Sequence, residues 1–337
     1  MLSPFLSSSI YFSHLLYLHR NSLIYITMTD IRLTLNNGTT IPALGLGTWQ
    51  SPKGEVAAAV EYALTQTGIR HIDAAYVYQN EEEVGEGIRK AIESGKVTRE
   101  EIFVTTKVFP SYHTRVAESL DKSLKNLGLD YVDLLLIHWP VGFNPNGNHE
   151  LFPRLEDGTT VDLDPSFDVV KTWKQFEAVY KTGKTKAIGV SNFSIGVLED
   201  LLPHVEVVPA VDQIESHPLL AQPELVAYAK SKGILIEAYS PLGSTGGPLL
   251  KLPEVVKIAE KHHAAPASVL ISWHLKEGRI VLPKSVTPSR ISSNTTVVPL
   301  DKEDLEVLDN LHKSHKPVRH VKPAWGVNRL KFPDWTE

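Results

Sequence analysis

Apolar residues recur along this chain with two different periods, and segments of the two kinds alternate. Short runs near 45–49, 70–75, 102–107, 132–138, 186–191, 209–214, 233–239 and 280–284 are rich in apolar residues, several almost continuously so, as in Val132-Asp133-Leu134-Leu135-Leu136-Ile137. Runs of this kind suit parallel strands covered on both faces, because half-solvated strands alternate apolar with polar. The segments between them carry stripes at helical spacing: Val84, Ile88 and Ile92; Val116, Leu120, Leu124 and Leu127; Val170, Trp173 and Val179. Gly68, Gly95, Gly128, Gly183, Gly233 and Gly278 stand where left-handed helix caps are expected. Pro223 and Pro266 stand near helix starts, where a missing N–H costs little. Ahead of all this, 31–44 reads as a small hairpin turning at Asn36-Asn37-Gly38.

About eight strand–helix alternations predict an α/β fold, a (β/α)₈ barrel of the TIM class. The hairpin is expected to close its bottom, and long loops to rise from its C-terminal face. A doubly wound sheet would carry a glycine-rich turn after its first strand. Here that strand ends Gly45-Leu46-Gly47-Thr48-Trp49-Gln50, with no third glycine and an indole where a pyrophosphate must approach. Three connections are too long for simple turns: 139–165, 240–252 and the tail 315–337. The first two follow strand C-terminal ends, the face where barrels bind ligands. Trp139, Phe143 and Trp325 in these segments are expected to wall an apolar pocket.

Composition narrows the partners. With 337 residues and 42% hydrophobic content, the chain can fill one large core, and 28–337 is read as one barrel domain. Residues 1–27 hold no acidic residue and only Arg20 as a cation. They suit neither a secretory signal nor a bilayer span. Met28 is the expected start, with 1–27 a disordered or mis-assigned extension, and mitochondrial targeting the lesser alternative to a cytoplasmic location. A net charge of −5 with no basic block argues against a nucleic-acid partner. No cysteine is present, which removes disulfides, thiolate metal sites and a catalytic thiol. No heptad or exposed apolar repeat suggests a fixed oligomer, so a monomer is expected.

The polar residues that end the apolar strands carry the chemistry. Asp73 closes His71-Ile72-Asp73, Lys107 closes Phe103-Val104-Thr105-Thr106-Lys107, His138 closes Leu135-Leu136-Ile137-His138, and Tyr78 lies just after Asp73. A carbonyl that receives a hydride gains negative charge on oxygen and needs a proton donor. A phenol, with its ordinary pKa near 10, is a poor acid at neutral pH. An adjacent ammonium, Lys107, is expected to lower that value, with Asp73 as its counter-charge. His138 is expected to orient the substrate oxygen by a hydrogen bond. No metal is expected: His262 and His263 are adjacent on a helix, and His312, His315 and His320 are taken to lie in a solvated tail without carboxylate partners.

At this point the chain resembles the aldo-keto reductase family, over essentially all of 30–330. The stretches from Gly68 to Glu81, from Leu129 to Pro140 and from Val281 to Ile291 are similar to three family signatures in the family's order. The resemblance implies a catalytic tetrad of Asp73, Tyr78, Lys107 and His138, the set already reached on chemical grounds, and NADPH as cofactor. Asp73, Ser191, Asn192 and Gln213 would face the nicotinamide end, with Tyr239 stacked on the ring. Ser240, Pro241, Leu242, Gly243 and Ser244 would fold over the pyrophosphate. Lys284, Ser285, Val286, Thr287, Arg290 and Asn294 would hold the adenosine 2′-phosphate, a dianion suited to an ammonium and a guanidinium. Thr48 and Trp49 complete the cofactor set. Trp49, Tyr78, His138, Trp139, Phe143 and Trp325 form the implied substrate wall. Ser293 departs from the Glu that family members often carry, which weakens the implied adenine contact.

The implied activity is reversible reduction of aldehydes and ketones to alcohols. The loop 142–164 is similar to that of fungal members acting on glyceraldehyde and glycerol, or on sugar acids such as galacturonate, and the first reading is placed ahead. A broad aromatic-aldehyde reductase is a further alternative. Two other classes compete. A Schiff-base aldolase on Lys107 is disfavoured because Asp73 would hold the amine charged. A cofactor-binding regulatory subunit without catalysis would have no need of Tyr78.

Overall fold

The structure, a computed structural model, describes residues 28–335, so the extension expected over 1–27 lies outside the described residues. The hairpin forms from β1 (Arg32–Thr34) and β2 (Thr40–Pro42), antiparallel, with Gly38 at φ 86° in its turn. Its Leu35 and Ile41 pack against Phe103, Leu134, Leu136, Val211 and Ile280 at one end of the barrel. Asn36 Nδ2 donates to the Pro209 carbonyl at 2.9 Å and Asn37 Nδ2 to Lys186 at 3.0 Å. The hairpin therefore plugs the barrel floor, as expected.

Eight parallel strands follow in order: β3 (Leu46–Gly47), β4 (His71–Asp73), β5 (Phe103–Val108), β6 (Leu134–Ile137), β7 (Ile188–Ser191), β8 (Val211–Glu215), β9 (Leu235–Tyr239) and β10 (Ile280–Leu282). Each lies within one of the expected runs or overruns it by one residue. The ring closes where the amides of Gly45 and Gly47 donate to Val281 and Pro283, at 3.0 and 3.1 Å. This is the (β/α)₈ barrel the strand–helix alternation predicts.

The outer helices are α1 (Val56–Gln66), α2 (Glu81–Glu93), α3 (Val116–Leu127), α4 (Val169–Tyr180), α5 (Ile195–Leu201), α6 (Pro223–Ser231), α7 (Pro253–Lys261), α8 (Pro266–Lys276), α9 (Pro288–Ser293), α10 (Lys302–Ser314) and α11 (Val327–Leu330). Asp168 caps α4 by accepting from the amides of Val170 and Lys171. Close approach of α2 to its neighbours depends on two glycines. A Cβ on Gly85 would sit 2.2 Å from the Leu127 carbonyl oxygen of α3, and one on Gly87 would sit 2.5 Å from that of Ala57 on α1. No helix among the described residues is long and apolar enough to cross a membrane.

Strand parity decides what enters the barrel, since alternate residues point to the same side. His71 and Asp73 on β4, Thr105 and Lys107 on β5, Gln213 on β8, and Glu237 and Tyr239 on β9 share the interior. Strands β4 and β8 are not neighbours in the sheet, yet Gln213 Nε2 lies 2.8 Å from Asp73 Oδ1. That contact crosses the interior near its C-terminal mouth.

Candidate active site

Three of the four expected catalytic residues meet at that mouth. Lys107, 1% exposed, donates to Asp73 Oδ1 at 2.7 Å, to Asp73 Oδ2 at 2.8 Å and to the Ala74 carbonyl at 2.9 Å. Its ammonium also donates to the Tyr78 hydroxyl oxygen at 3.2 Å. The phenol oxygen thus accepts from the amine and keeps its own hydrogen for another acceptor. His138 completes the group with its ring centroid 5.7 Å from that of Tyr78, edge to face.

The electrostatics differ from expectation at Tyr78. Burial, together with Asp73 and Glu237, pushes its phenol well above the ordinary value. The expected lowering by Lys107 does not appear, because the ammonium is already matched by the Asp73 carboxylate. Tyr78 is therefore a fully protonated donor. Burial, aided by Lys107, holds His138 well below the usual imidazole range, so its ring is neutral.

Around this core the amides are locked. Ser191 Oγ donates to the Gln213 carbonyl at 2.8 Å. Asn192, at φ 64°, gives its Nδ2 hydrogens to the His138 carbonyl and Ser191 Oγ, at 2.9 and 3.1 Å, while its Oδ1 accepts from the Tyr239 hydroxyl at 2.8 Å. Gln213 Nε2 also reaches Glu237 Oε2 at 2.8 Å. Thr48 is buried with its hydroxyl on the Asp73 carbonyl at 2.8 Å, whereas Trp49 is 37% exposed at the rim.

Lys284, Thr287 and Arg290 are exposed beyond β10, and Val286 is half-buried. Ser285 and Asn294 are buried, with Ser285 Oγ capping the Thr287 amide at 3.1 Å. The 240–244 loop holds Ser240, Gly243 and Ser244 in left-handed conformation, and its Pro241 and Gly243 are buried while Leu242 is half-buried. Gln50 ties two edges of the mouth together: its Oε1 accepts from Thr245 at 2.8 Å and its carbonyl from Lys284 at 3.0 Å.

The expected substrate wall is assembled in part. Trp325 sits edge-on to Trp139 and Phe143, at 5.3 and 5.0 Å between ring centres. Phe143 is fully covered, and it also packs on Phe109 and Phe152, so it backs the wall rather than facing the pocket. The loop carrying these rings is fastened by Glu150, which accepts from Tyr76 at 2.7 Å, Tyr112 at 2.5 Å and Lys122 at 2.9 Å.

The histidine tail needs correcting. His320 is not a solvated residue without a carboxylate partner: Glu215 accepts from the His320 and Val321 amides, at 2.7 and 2.8 Å, and lies 3.1 Å from His217 Nε2. His315 lies 3.5 Å from Glu254, and His262 bonds Asp304 at 2.6 Å. With three N–H groups on it, the Glu215 carboxylate is a clamp on the tail backbone. Glu237, His71, Gln50 and Glu150 are the residues that sequence reasoning missed. The first had a visible signal, a lone acid two places before Tyr239 inside an apolar run.

Known proteins match this chain along most of its length. The model of the aldo/keto reductase family matches residues 43–313. The chain is 56% identical over 311 residues to D-galacturonate reductase of Hypocrea jecorina, covering 91% of this chain and 99% of that protein. It is 48% identical over 299 residues to glycerol 2-dehydrogenase (NADP(+)) of Saccharomyces cerevisiae, covering 87% and 94%. The solved aldose reductase of Schistosoma japonicum superposes with a TM-score of 0.77 at 40% identity, over 85% of this chain and 97% of that one. A barrel whose buried lysine joins a carboxylate to a phenol, matched along most of its length by reductases, belongs to the aldo/keto reductase family, and the protein is an oxidoreductase.

Proposed function

We propose that the protein reduces sugar-derived aldehydes to alcohols with NADPH, using Tyr78 as general acid. The observation that carries this reading is the 3.2 Å contact from Lys107 to the Tyr78 oxygen, with Asp73 behind the ammonium. The residues suit the cofactor: the amide oxygens of Asn192 and Gln213 and the half-buried Tyr239 ring at one end, exposed Lys284, Thr287 and Arg290 at the other. Held there, the cofactor would supply the hydride that reduces the carbonyl carbon. Tyr78 gives its proton to the carbonyl oxygen, a transfer favoured because an alkoxide is a far stronger base than a phenolate. Lys107 stabilises the phenolate that remains until solvent returns a proton. Neutral His138 holds the same oxygen through a ring N–H.

For the substrate, the relative at 56% identity acts on galacturonate and the one at 48% on glycerol, by their names. That ranking supports a uronic acid ahead of glyceraldehyde, the reverse of the order drawn from the 142–164 loop alone. Following NADPH oxidation with galacturonate, DL-glyceraldehyde, xylose and a nitrobenzaldehyde tests the proposal. The highest kcat/KM is expected for galacturonate. Equal, near-zero rates with all four would leave only a cofactor-binding role.

A further inference from the structure

Both hydrogens of the Gln213 amide are consumed inside the barrel. Nε2 lies 2.8 Å from Asp73 Oδ1 on β4 and 2.8 Å from Glu237 Oε2 on β9. Asp73 alone would settle which amide atom is nitrogen, since a carboxylate offers only acceptors. One hydrogen bond still lets the amide swing about its axis. Two bonds, to strands on different sides of β8, fix its plane and hence the direction of its carbonyl.

Among the described residues, Gln213 is the one hydrogen-bond partner of the Glu237 carboxyl, whose other effects are a 3.5 Å approach to His71 and an upward push on the Tyr78 phenol. Glu237 is fully buried, and its Oε1 has no hydrogen-bond partner. The charged and titratable groups facing it are Asp73 and His71 on β4, Tyr78 just after that strand, Lys107 on β5 and none on β10, with His71 Nε2 at 3.5 Å from Oε1. Burial and Asp73 raise its carboxyl to about 8. A proton carried on Oε1 leaves Oε2 free to accept from Gln213. A buried acid is costly where an apolar side chain would pack, so its presence two residues before Tyr239 calls for a use.

We infer that Glu237 is a positioning residue: it fixes the plane of the Gln213 amide, so that the carbonyl points steadily at the hydrogens of the cofactor's carboxamide. This rests on the reading above that the nicotinamide lies against Gln213.

The test measures NADPH binding by fluorescence for the wild type, Glu237→Met and Glu237→Gln, and repeats it with reduced 3-acetylpyridine-adenine dinucleotide phosphate. That analogue carries a methyl ketone in place of the carboxamide and has no N–H to give Gln213. Glu237→Met, which loses the acceptor, is expected to weaken NADPH about tenfold, the worth of one such bond. Glu237→Gln, which keeps a carbonyl at the same reach, is expected to match the wild type. All three proteins are expected to bind the analogue alike. Glu237→Thr, too short to reach the amide, replaces Glu237→Met should that variant not fold. Equal loss of both cofactors, loss in Glu237→Gln as large as in Glu237→Met, or no loss at all overturns the inference. A wild type that does not bind NADPH overturns the cofactor reading itself, and this inference with it.

Discussion

Lys107 donates to the hydroxyl oxygen of Tyr78, 3.2 Å away, the amine reaching the rim from β5 and the phenol from the turn after β4. The direction of that bond separates two kinds of loss. Tyr78→Phe removes the acid and leaves the Lys107–Asp73 pair intact. It is expected to lower kcat for aldehyde reduction by about a hundredfold or more while thermal stability stays near the parental value. Lys107→Met strands a buried carboxylate and is expected to cost about 3 kcal/mol of stability as well. Steady-state kinetics with thermal melts of both variants check this; a Tyr78→Phe enzyme at the parental rate would remove the mechanism.

Lys284 and Arg290 stand exposed beyond β10, where a 2′-phosphate is proposed to lie. Replacing both with Ala should raise KM for NADPH about tenfold or more, because each charge-assisted contact is worth roughly 1.5–3 kcal/mol before solvent screening. KM for NADH, which lacks that phosphate, should move little. The ratio of the two KM values is the measurement, and an unchanged ratio counts against the proposed phosphate site.

Glu150 fastens the 139–165 loop through two phenols and an ammonium, and these bonds hold its carboxyl down to about 2 from 4.5. A depressed carboxyl contributes stability that is complete above its unfolded value and fades as pH falls toward the folded one. The melting temperature of the wild type should therefore exceed that of Glu150→Gln at neutral pH. The gap should narrow as pH drops below about 4.5. Parallel melting curves at a series of pH values report this, and a gap independent of pH would mean that the Glu150 carboxyl titrates alike in the folded and unfolded chain.

Gly85 is where α2 meets α3, and a Cβ there would press within 2.2 Å of the Leu127 carbonyl oxygen. The obstacle is backbone, which cannot rotate aside. Gly85→Ala is expected to cost about 1–3 kcal/mol, despite the better helix propensity of alanine. Chemical denaturation measures the difference. Gly95→Ala, at φ 72° with open space around its Cβ, gives a comparison in which only backbone strain acts.

The fold was readable because the barrel strands are short, buried runs rich in apolar residues and the helices between them carry apolar stripes. The eight runs from Gly45 to Lys284 announce themselves without any knowledge of their partners. Asp73, Lys107 and His138 were readable for a related reason: a polar residue ending an apolar strand stands out. Glu237 and His71 escaped because they do not end their strands, and their use depends on which residue of another strand shares their level. Tyr78 was found, but its electrostatics were not, since the effect of Lys107 depends on how closely Asp73 cancels it. His320 was misjudged because local composition in the tail says nothing of the Glu215 carboxylate, over a hundred residues earlier, that holds its amide.

That hold bears on the tail's tolerance of substitution. Glu215 grips the tail by main-chain N–H groups at 320 and 321, which every residue but proline possesses. A substitution there, proline apart, leaves these main-chain bonds available, although His320 and Val321 also pack against His217 and the core. Downstream, Trp325 leans on Trp139 and Phe143 beside the reaction mouth. A change at Trp325 alters the rings beside the mouth without touching the contacts among Asp73, Lys107 and Tyr78.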